Sequence, residues 1–239
     1  MIDAILGLFR PAVKITALQH QQLIHWQGLP TPSLGAPLAQ TRMVVLDLES
    51  TGLDVTRDRP LSIGAVAVHG DRLRLDDVFT RVLRQECAVQ RDNVVIHGIS
   101  PTVKEEGDDP TDALLDFLLY AAKGPIVGYH APFDRELLTR EARRRLGMRL
   151  GGEWLDLAWL LPALFPQAGL VRQPLDAWIA WFGLEVPDRH RADVDAYMTA
   201  ELLLIALKQA KARGIPHFRA LADLARTEEM NRASSLGGF

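Results

Sequence analysis

The chain has 239 residues, which suits one domain with a sizeable core and is short for two. Its hydrophobic content of 48% excludes a wholly disordered chain, and its net charge of −3 argues against a surface that grips duplex DNA along its length. One cysteine excludes an intramolecular disulfide, and no apolar run reaches the ~18 residues of a membrane span. These features predict a cytoplasmic protein with no membrane partner.

The first 40 residues do not share the pattern of those that follow. A helix is predicted near residues 15–26, and the prolines and glycines of residues 28–37 indicate a linker, because both residue types interrupt helices and strands. Short apolar runs with β-branched residues then predict three strands, at residues 43–48, 61–68 and 72–82.

The second and third strands flank a tight-turn signal, His-Gly-Asp at residues 69–71, which predicts a hairpin. A short fourth strand is predicted at residues 125–128. Helices are predicted at residues 110–122, 132–146, 156–164, 175–182, 194–212 and about 216–227. A hairpin followed by alternating helices and strands predicts an α/β fold, a mixed sheet with helices on both faces.

Two acidic residues, Asp47 and Glu49, end the first predicted strand. Side chains two apart on a strand project from the same face, and the carboxyl ends of strands commonly carry the sites of α/β sheets. By itself such a pair is more often a solvated strand end than a site.

Three further residues carry candidate chemistry. Asp134 follows the fourth strand in the first turn of a helix, where an acid also complements the helix dipole. His190 lies in a loop, a position where histidine is usually solvated, and Asp195 is one turn into the next helix. Asp193 is placed to cap that helix.

The order and spacing of these residues resemble the motifs of the DEDD exonuclease superfamily. DLESTGL at residues 47–53 resembles the first motif and HAPFD at residues 130–134 the second. HRADVDA at residues 190–196 resembles the third motif of the histidine-containing branch, the DnaQ-like (DEDDh) enzymes, which include the epsilon proofreading subunit of bacterial DNA polymerase III and RNase T. The similarity extends over about residues 42–211. Within this range, DRPLSIG at 58–64 resembles the family's second strand and IHGIS at 96–100 its His-Gly-Ile segment.

The resemblance implies an RNase H-like fold with a five-stranded sheet, mixed parallel and antiparallel, and helices on both faces. It implies an exonuclease domain at residues 41–213, after an N-terminal extension and linker at 1–40 and before a C-terminal helix and tail at 214–239. The implied activity is metal-dependent 3′→5′ hydrolysis of DNA, releasing nucleoside 5′-monophosphates.

The resemblance also implies a site for two Mg²⁺ or Mn²⁺ ions. Its ligands would be Asp47, Glu49, Asp134 and Asp195, and carboxylate oxygens select such hard cations. Two carboxylates ~4 Å apart repel by about 4 kcal/mol at an effective dielectric near 20, so the cluster needs cations or protons. His190 would act as proton acceptor, since imidazole titrates near neutral pH.

Further residues are implied as substrate contacts. The backbone at Ser50 and Thr51 would hold the terminal nucleotide, and Leu53 would wedge against its base. His97 would face that nucleotide or serve a structural role. Phe133 would contact a sugar or, as the preferred interpretation, join the core.

The sequence departs from the family pattern in two places. Tyr129-His130 stands where the family has His-Asn, and Asp156 is followed by leucine where threonine is common, so Asp156 is interpreted as a helix cap and not a ligand. The arginines at positions 140, 143, 144, 145 and 149 form either a solvated helix face or a path for the upstream strand.

Two alternatives to a DNA exonuclease remain open at this point. One is a 3′→5′ exoribonuclease that trims RNA ends or short oligoribonucleotides, because nothing in the sequence decides how a 2′-hydroxyl is treated. The other is a catalytically passive interaction module of the same fold. The expected partner is a single-stranded or frayed 3′ end, DNA in preference to RNA, and no polymerase or other protein partner is identifiable from the sequence.

Overall fold

The computed structural model describes residues 13–85, 106–186 and 189–236. Its five strands are β1 (Arg42–Ser50), β2 (Pro60–His69), β3 (Arg72–Val82), β4 (Ile126–Gly128) and β5 (Trp154–Asp156). Its α-helices are α1 (Ala17–Gly28), α2 (Pro110–Ala121), α3 (Ala131–Leu146), α4 (Leu157–Leu164), α5 (Leu175–Phe182), α6 (Ala192–Ala212) and α7 (Phe218–Leu236).

The strands form one mixed sheet in the order β3-β2-β1-β4-β5. β1 pairs antiparallel with β2 and parallel with β4, β2 forms the predicted hairpin with β3, and β5 pairs parallel with β4. The predicted α/β fold is therefore confirmed. The local pattern did not locate β5, whose three residues run directly into α4, and a fifth strand was implied only by the family resemblance.

The sheet separates two hydrophobic cores, and β1 contributes to both by alternation. Met43 and Val45 pack on one face with buried residues of α4, α5, α6 and α7. Val44 and Leu46 pack on the opposite face with α1, α2 and α3. Period-two alternation places Asp47 on the same face as Met43 and Val45, the face covered by α6.

Helix α6 begins two residues earlier than expected. Arg191 takes the N-cap position with extended backbone, so Asp193 lies inside the first turn instead of capping the helix. The Asp193 carboxylate pairs with the Arg191 guanidinium at 2.8 Å. The prediction of Asp193 as the cap was wrong because the extended backbone required of a cap falls at Arg191.

Both terminal helices pack on the remainder of the chain. In α1, Leu23 is buried in the core that contains α2, and the Gln19 amide donates to the Asp112 carboxylate at 2.7 Å. In α7, Phe218 and Leu221 are fully buried in the opposite core. Within the described part of the chain, none of the helices combines the length and apolar character needed to cross a membrane.

Candidate active site

Three carboxylates converge where β1 meets the start of α6. Asp47 and Glu49 come from β1, and Asp195 comes from the first turn of α6. One oxygen from each lies within 4.8 Å of those from the other two. Glu49 and Asp195 are buried, and Asp47 is partly exposed as a residue although protein atoms surround its carboxyl group. This is an all-oxygen donor set of the kind that binds hard divalent cations.

A glycine in the neighbouring strand allows this convergence. Gly64 is the β2 partner of Asp47, and a Cβ built on it would lie 2.2 Å from the carbonyl carbon of Ala192. No side chain fits there, so the first residue of α6 lies directly against β2 and brings Asp195 to Asp47. Gly64 was not predicted as a residue that shapes the site; the signal available in the sequence was a glycine inside a strand, which often marks a close backbone approach.

Asp134 lies beside this group of three and is not part of it. It is buried in the first turn of α3, a helix that packs on the opposite face of the sheet from α6. Its charge nevertheless reaches the cluster, because it raises the pKa of Asp47. The charge of Asp134 affects the pKa of Asp47 more than the charges of Asp195 and Glu49 do, so all four predicted ligands interact.

Burial and mutual repulsion raise the pKa values of these acids. The pKa of Asp47 is well above its usual range because of burial and then the charges of Asp134, Asp195 and Glu49. Burial, with the charge of Asp195, raises the pKa of Glu49 to about 7.

The pKa values of the two acids on helices, Asp134 and Asp195, are also raised. Burial and then the charges of Asp156 and Glu49 hold the pKa of Asp134 well above its usual value. Burial raises the pKa of Asp195, while the positive charge of Arg189 opposes the rise. Bound cations would relieve the repulsion that these shifts report.

His190 lies at the edge of the cluster, directly before α6. Its side chain is exposed, and its backbone is left-handed, with φ of 65°. Its charge lowers the pKa of Asp195, as does a hydrogen bond from its backbone N–H. The predicted proton acceptor is thus within electrostatic reach of a predicted metal ligand and open to solvent.

The loop after β1 contains the predicted contacts to the terminal nucleotide. Leu53 is 89% exposed, as a wedge against a base requires. The Thr51 N–H donates to the Arg59 carbonyl at 2.9 Å, so this donor is already engaged in the present conformation. The Ser50 hydroxyl donates to the Gly52 carbonyl at 2.6 Å. These two contacts shape the loop that presents Leu53.

The remaining predicted contacts have different outcomes. Phe133 is partly buried and packs against the core formed with α2 and α3, in agreement with the preferred interpretation. His97 lies outside the described residues. Asp156 caps α4 by accepting from the Ala158 N–H at 3.0 Å, and it also accepts from the His130 N–H at 2.9 Å.

The arginines in and just after α3 differ in their contacts, because some bind other parts of the protein and others face solvent. Arg140 donates to the backbone carbonyls of Val55 and Asp58, and so it secures the loop that follows Leu53. Arg145 donates to the buried Glu141 at 2.8 Å. Arg143 and Arg144 are exposed, as is Arg149 beyond the end of α3, and Arg144 also pairs with the Glu141 carboxylate at 3.4 Å. A path for an upstream strand could therefore use only part of this stretch.

Comparison with known proteins agrees with this geometry. The family described as Exonuclease (RNase_T) matches residues 44–203, a span that contains all five predicted catalytic residues. The chain belongs to this exonuclease family. Metal dependence is a general property of this family, and the cluster of Asp47, Glu49 and Asp195 could bind a metal ion.

Relatives of this chain include proteins named as DNA polymerase III, as its epsilon subunit or as similar to that subunit. The chain is 30% identical to a DNA polymerase III subunit epsilon-like protein of Rhodobacter capsulatus over 77% of its own length and 26% of that protein. It is 29% identical to the DNA polymerase III PolC-type of Thermotoga maritima, of which it spans 13%. It is also 29% identical to the DNA polymerase III subunit epsilon of Treponema pallidum, over 65% of its own length and 72% of that subunit.

Solved exonuclease structures share the fold. Escherichia coli exonuclease I in complex with a dT13 oligonucleotide superposes with a TM-score of 0.61 at 18% identity, covering 72% of this chain and 42% of that one. Exonuclease X in complex with 5′ overhanging duplex DNA gives 0.57 at 21% identity, covering 77% of this chain and 99% of that one.

Proposed function

We propose that this protein is a 3′→5′ exonuclease that hydrolyses terminal phosphodiester bonds of DNA and releases nucleoside 5′-monophosphates. The observation that carries the proposal is the convergence of Asp47, Glu49 and Asp195 within 4.8 Å, with their pKa values raised. A stable domain holds such repulsion only if protons or cations neutralise it, and at neutral pH divalent cations do so without abolishing the charges.

The residues present fit two Mg²⁺ or Mn²⁺ ions. When bound, two such ions lower the pKa of an attacking water and stabilise the departing 3′ oxygen. Asp47 is the acid whose pKa the other three all raise, which supports a role shared between both ions. Glu49 and Asp195 would complete one site, and Asp134 would serve the other.

The chain's own groups would supply the remaining chemistry. His190 is exposed beside Asp195, where it would accept the proton of the attacking water. Leu53 would wedge against the terminal base, and the backbone near Ser50 would hold its sugar. The terminal nucleotide would thereby be separated from the rest of the strand before hydrolysis.

The relatives support DNA as the substrate and a polymerase as an associated protein. Those named above are a DNA polymerase III subunit, a protein similar to that subunit and a polymerase of the PolC type. The exonuclease I and exonuclease X structures contain a DNA oligonucleotide and an overhanging duplex, which suits a grip on a strand end. We further propose that residues 41–213 form the exonuclease domain, with residues 1–40 and 214–239 as accessory segments.

Matched labelled substrates test the proposal. Single-stranded DNA and RNA of one sequence, labelled at either the 3′ or the 5′ end, would be digested with Mn²⁺ and with EDTA. We expect immediate release of a labelled mononucleotide from the 3′-labelled DNA and a shortening ladder from the 5′-labelled DNA, with neither in EDTA.

Other outcomes would replace the proposal. Faster digestion of RNA than of DNA would make the protein an exoribonuclease. Immediate release of a 5′-label, or rapid nicking of closed circular DNA, would refute the direction or the exonucleolytic mode. If no substrate were hydrolysed with metal present, the remaining interpretation would be a catalytically passive interaction module.

A further inference from the structure

The arginine that precedes His190 bridges two helices at the carboxylate cluster. Arg189 Nε lies 2.8 Å from Oδ1 of Asp195, and its Nη1 lies 2.6 Å from Oδ1 of Asp176. Asp195 is in the first turn of α6, and Asp176 is in the first turn of α5. One guanidinium therefore ties the segment that carries His190 to both helix starts.

This guanidinium is unusually buried for a loop arginine. Its side chain is 19% exposed, and that of its partner Asp195 is 9% exposed. Arg189 Nε, Arg189 Nη1 and Asp195 Oδ1 are shielded from solvent without an aligned hydrogen bond among the described residues, so these contacts act through charge. The Arg189–Asp195 pair is therefore weakly screened, whereas the Asp176 side chain at the other end of the bridge is 62% exposed and holds Arg189 less strongly.

The backbone beside Arg189 needs such an anchor. His190 is not a glycine, yet it adopts a left-handed conformation with φ of 65°. Backbone of this kind persists only where the surroundings hold it, and it concentrates at functional sites. The His190 backbone N–H also lowers the pKa of the Asp195 carboxyl group, so two consecutive residues act on the same acid.

We infer that Arg189 is a positioning residue, which holds His190 at the carboxylate cluster by bridging Asp176 and Asp195. The inference rests on the proposed function of His190 as proton acceptor. The positive charge of Arg189 would also suit two other roles, namely contact with a substrate phosphate and competition with the metal ions for Asp195. Each predicts a different change when the guanidinium is removed.

The principal test is a double-mutant cycle between Arg189 and His190. Arg189→Met keeps the aliphatic length and removes the charge. We expect kcat to fall by roughly 10- to 100-fold, part of the 10²–10⁴-fold value of general-base assistance, with KM changed less than about threefold. In the His190→Ala background the same substitution should change kcat less than about threefold, because the group that it positions is absent.

Three companion variants make the comparison specific. Arg189→Lys, which keeps the charge but cannot span both acids with one planar group, should restore only part of kcat. Asp176→Asn removes the outer anchor alone and should lower kcat in the same direction but less. Arg191→Met is the matched control: that arginine pairs with Asp193, and its loss should leave kcat unchanged.

Two measurements separate this inference from its alternatives. Calorimetric titration of Mn²⁺ into Arg189→Met should show affinity kept within about threefold or slightly tightened. A tenfold weaker affinity would make Arg189 an orienting residue for the metal ligand, and a tenfold tighter one with normal kcat would make it a competitor of the metal. A tenfold rise in KM with normal kcat would indicate a phosphate contact.

Hydrogen exchange gives a readout that does not depend on activity. The His190 amide should exchange faster in Arg189→Met than in the unmodified protein or in Arg191→Met. Unchanged exchange, or losses of kcat that multiply in the His190→Ala background, would overturn the inference. An unmodified protein with no nuclease activity would instead refute the proposed function, while the exchange data would still decide whether Arg189 holds the segment.

Discussion

Asp47 bears more of the repulsion in the cluster than any other acid, because the charges of Asp134, Asp195 and Glu49 all raise its pKa. It is therefore the residue whose removal should cost the most activity and the least stability. In the metal-free protein its carboxyl group is desolvated, and the positive charge of Arg189 offsets only part of the rise in its pKa.

We expect Asp47→Ala to lower turnover by several orders of magnitude while the fold is retained. In EDTA its free energy of unfolding should rise by about 1–3 kcal/mol, the typical cost of an uncompensated buried polar group. Urea denaturation and steady-state turnover measure the two effects. Asp71→Ala, at an exposed hairpin turn at the opposite end of the sheet, is the control and should change neither. A variant that kept a tenth of the turnover would remove Asp47 from the centre of the site.

His190 should act on the proton and not on the metal. Its imidazole is exposed outside the group of three carboxylates, and imidazole is a poor ligand for Mg²⁺. His190→Ala should lower kcat by about 10²–10⁴-fold and leave Mn²⁺ affinity nearly unchanged, and His190→Gln should do the same. Calorimetric titration of Mn²⁺ into His190→Ala tests the predicted metal affinity. A tenfold weaker affinity in this variant, with turnover restored at saturating metal, would make the histidine a ligand.

At the scale of elements, the site depends on how closely α6 lies on β2. Gly64 is the residue that permits this contact, since any Cβ there would overlap the backbone of Ala192. Asp195 follows Ala192 by one turn, so a displaced helix start would carry that carboxylate away from Asp47 and Glu49.

We expect Gly64→Ala to destabilise the protein by about 1–3 kcal/mol, the usual cost of overpacking. Its affinity for Mn²⁺ should also fall at least tenfold, because the three carboxylates would no longer converge. Urea denaturation in EDTA and calorimetry measure these changes. Gly151→Ala is the control, because a Cβ there meets nothing within 4 Å. Unchanged metal affinity in Gly64→Ala would show that α6 is not positioned through this contact.

At the scale of the whole molecule, the acidic cluster couples stability to pH and metal. The pKa of Glu49 is raised from 4.5 to about 7 in the folded protein, and those of Asp47, Asp134 and Asp195 are raised as well. The folded state therefore holds these protons more tightly than the unfolded state, so their contribution is complete at low pH and is lost as pH rises.

We expect the metal-free protein to lose stability as pH rises from about 5 to about 8. At about 1.4 kcal/mol per pKa unit, the Glu49 shift alone corresponds to roughly 3 kcal/mol. Urea denaturation across this range in EDTA should show the decline, and saturating Mn²⁺ should remove it. Glu49→Gln, which cannot ionise, should have a shallower slope in EDTA. A flat profile for the unmodified protein in EDTA would contradict the repulsion that the site geometry implies.

The sequence by itself determined the residue types of the site and the order of the elements that carry them. Asp47 and Glu49 were placed on one strand face by alternation, and Asp195 within one turn of a helix start, because both patterns depend only on neighbours in the chain. The hairpin, the mixed sheet and helices on both faces followed from the same local signals together with the family motifs.

The tertiary structure alone decided which of these residues meet. Distances between residues as far apart as 47, 134 and 195 depend on which face of the sheet each helix covers, and local periodicity does not report that. Because α3 packs opposite α6, Asp134 stands beside the other three acids. Because Gly64 has no side chain, Asp195 reaches Asp47. Arg189 gave no sequence signal, since its role arises only where the starts of α5 and α6 come together.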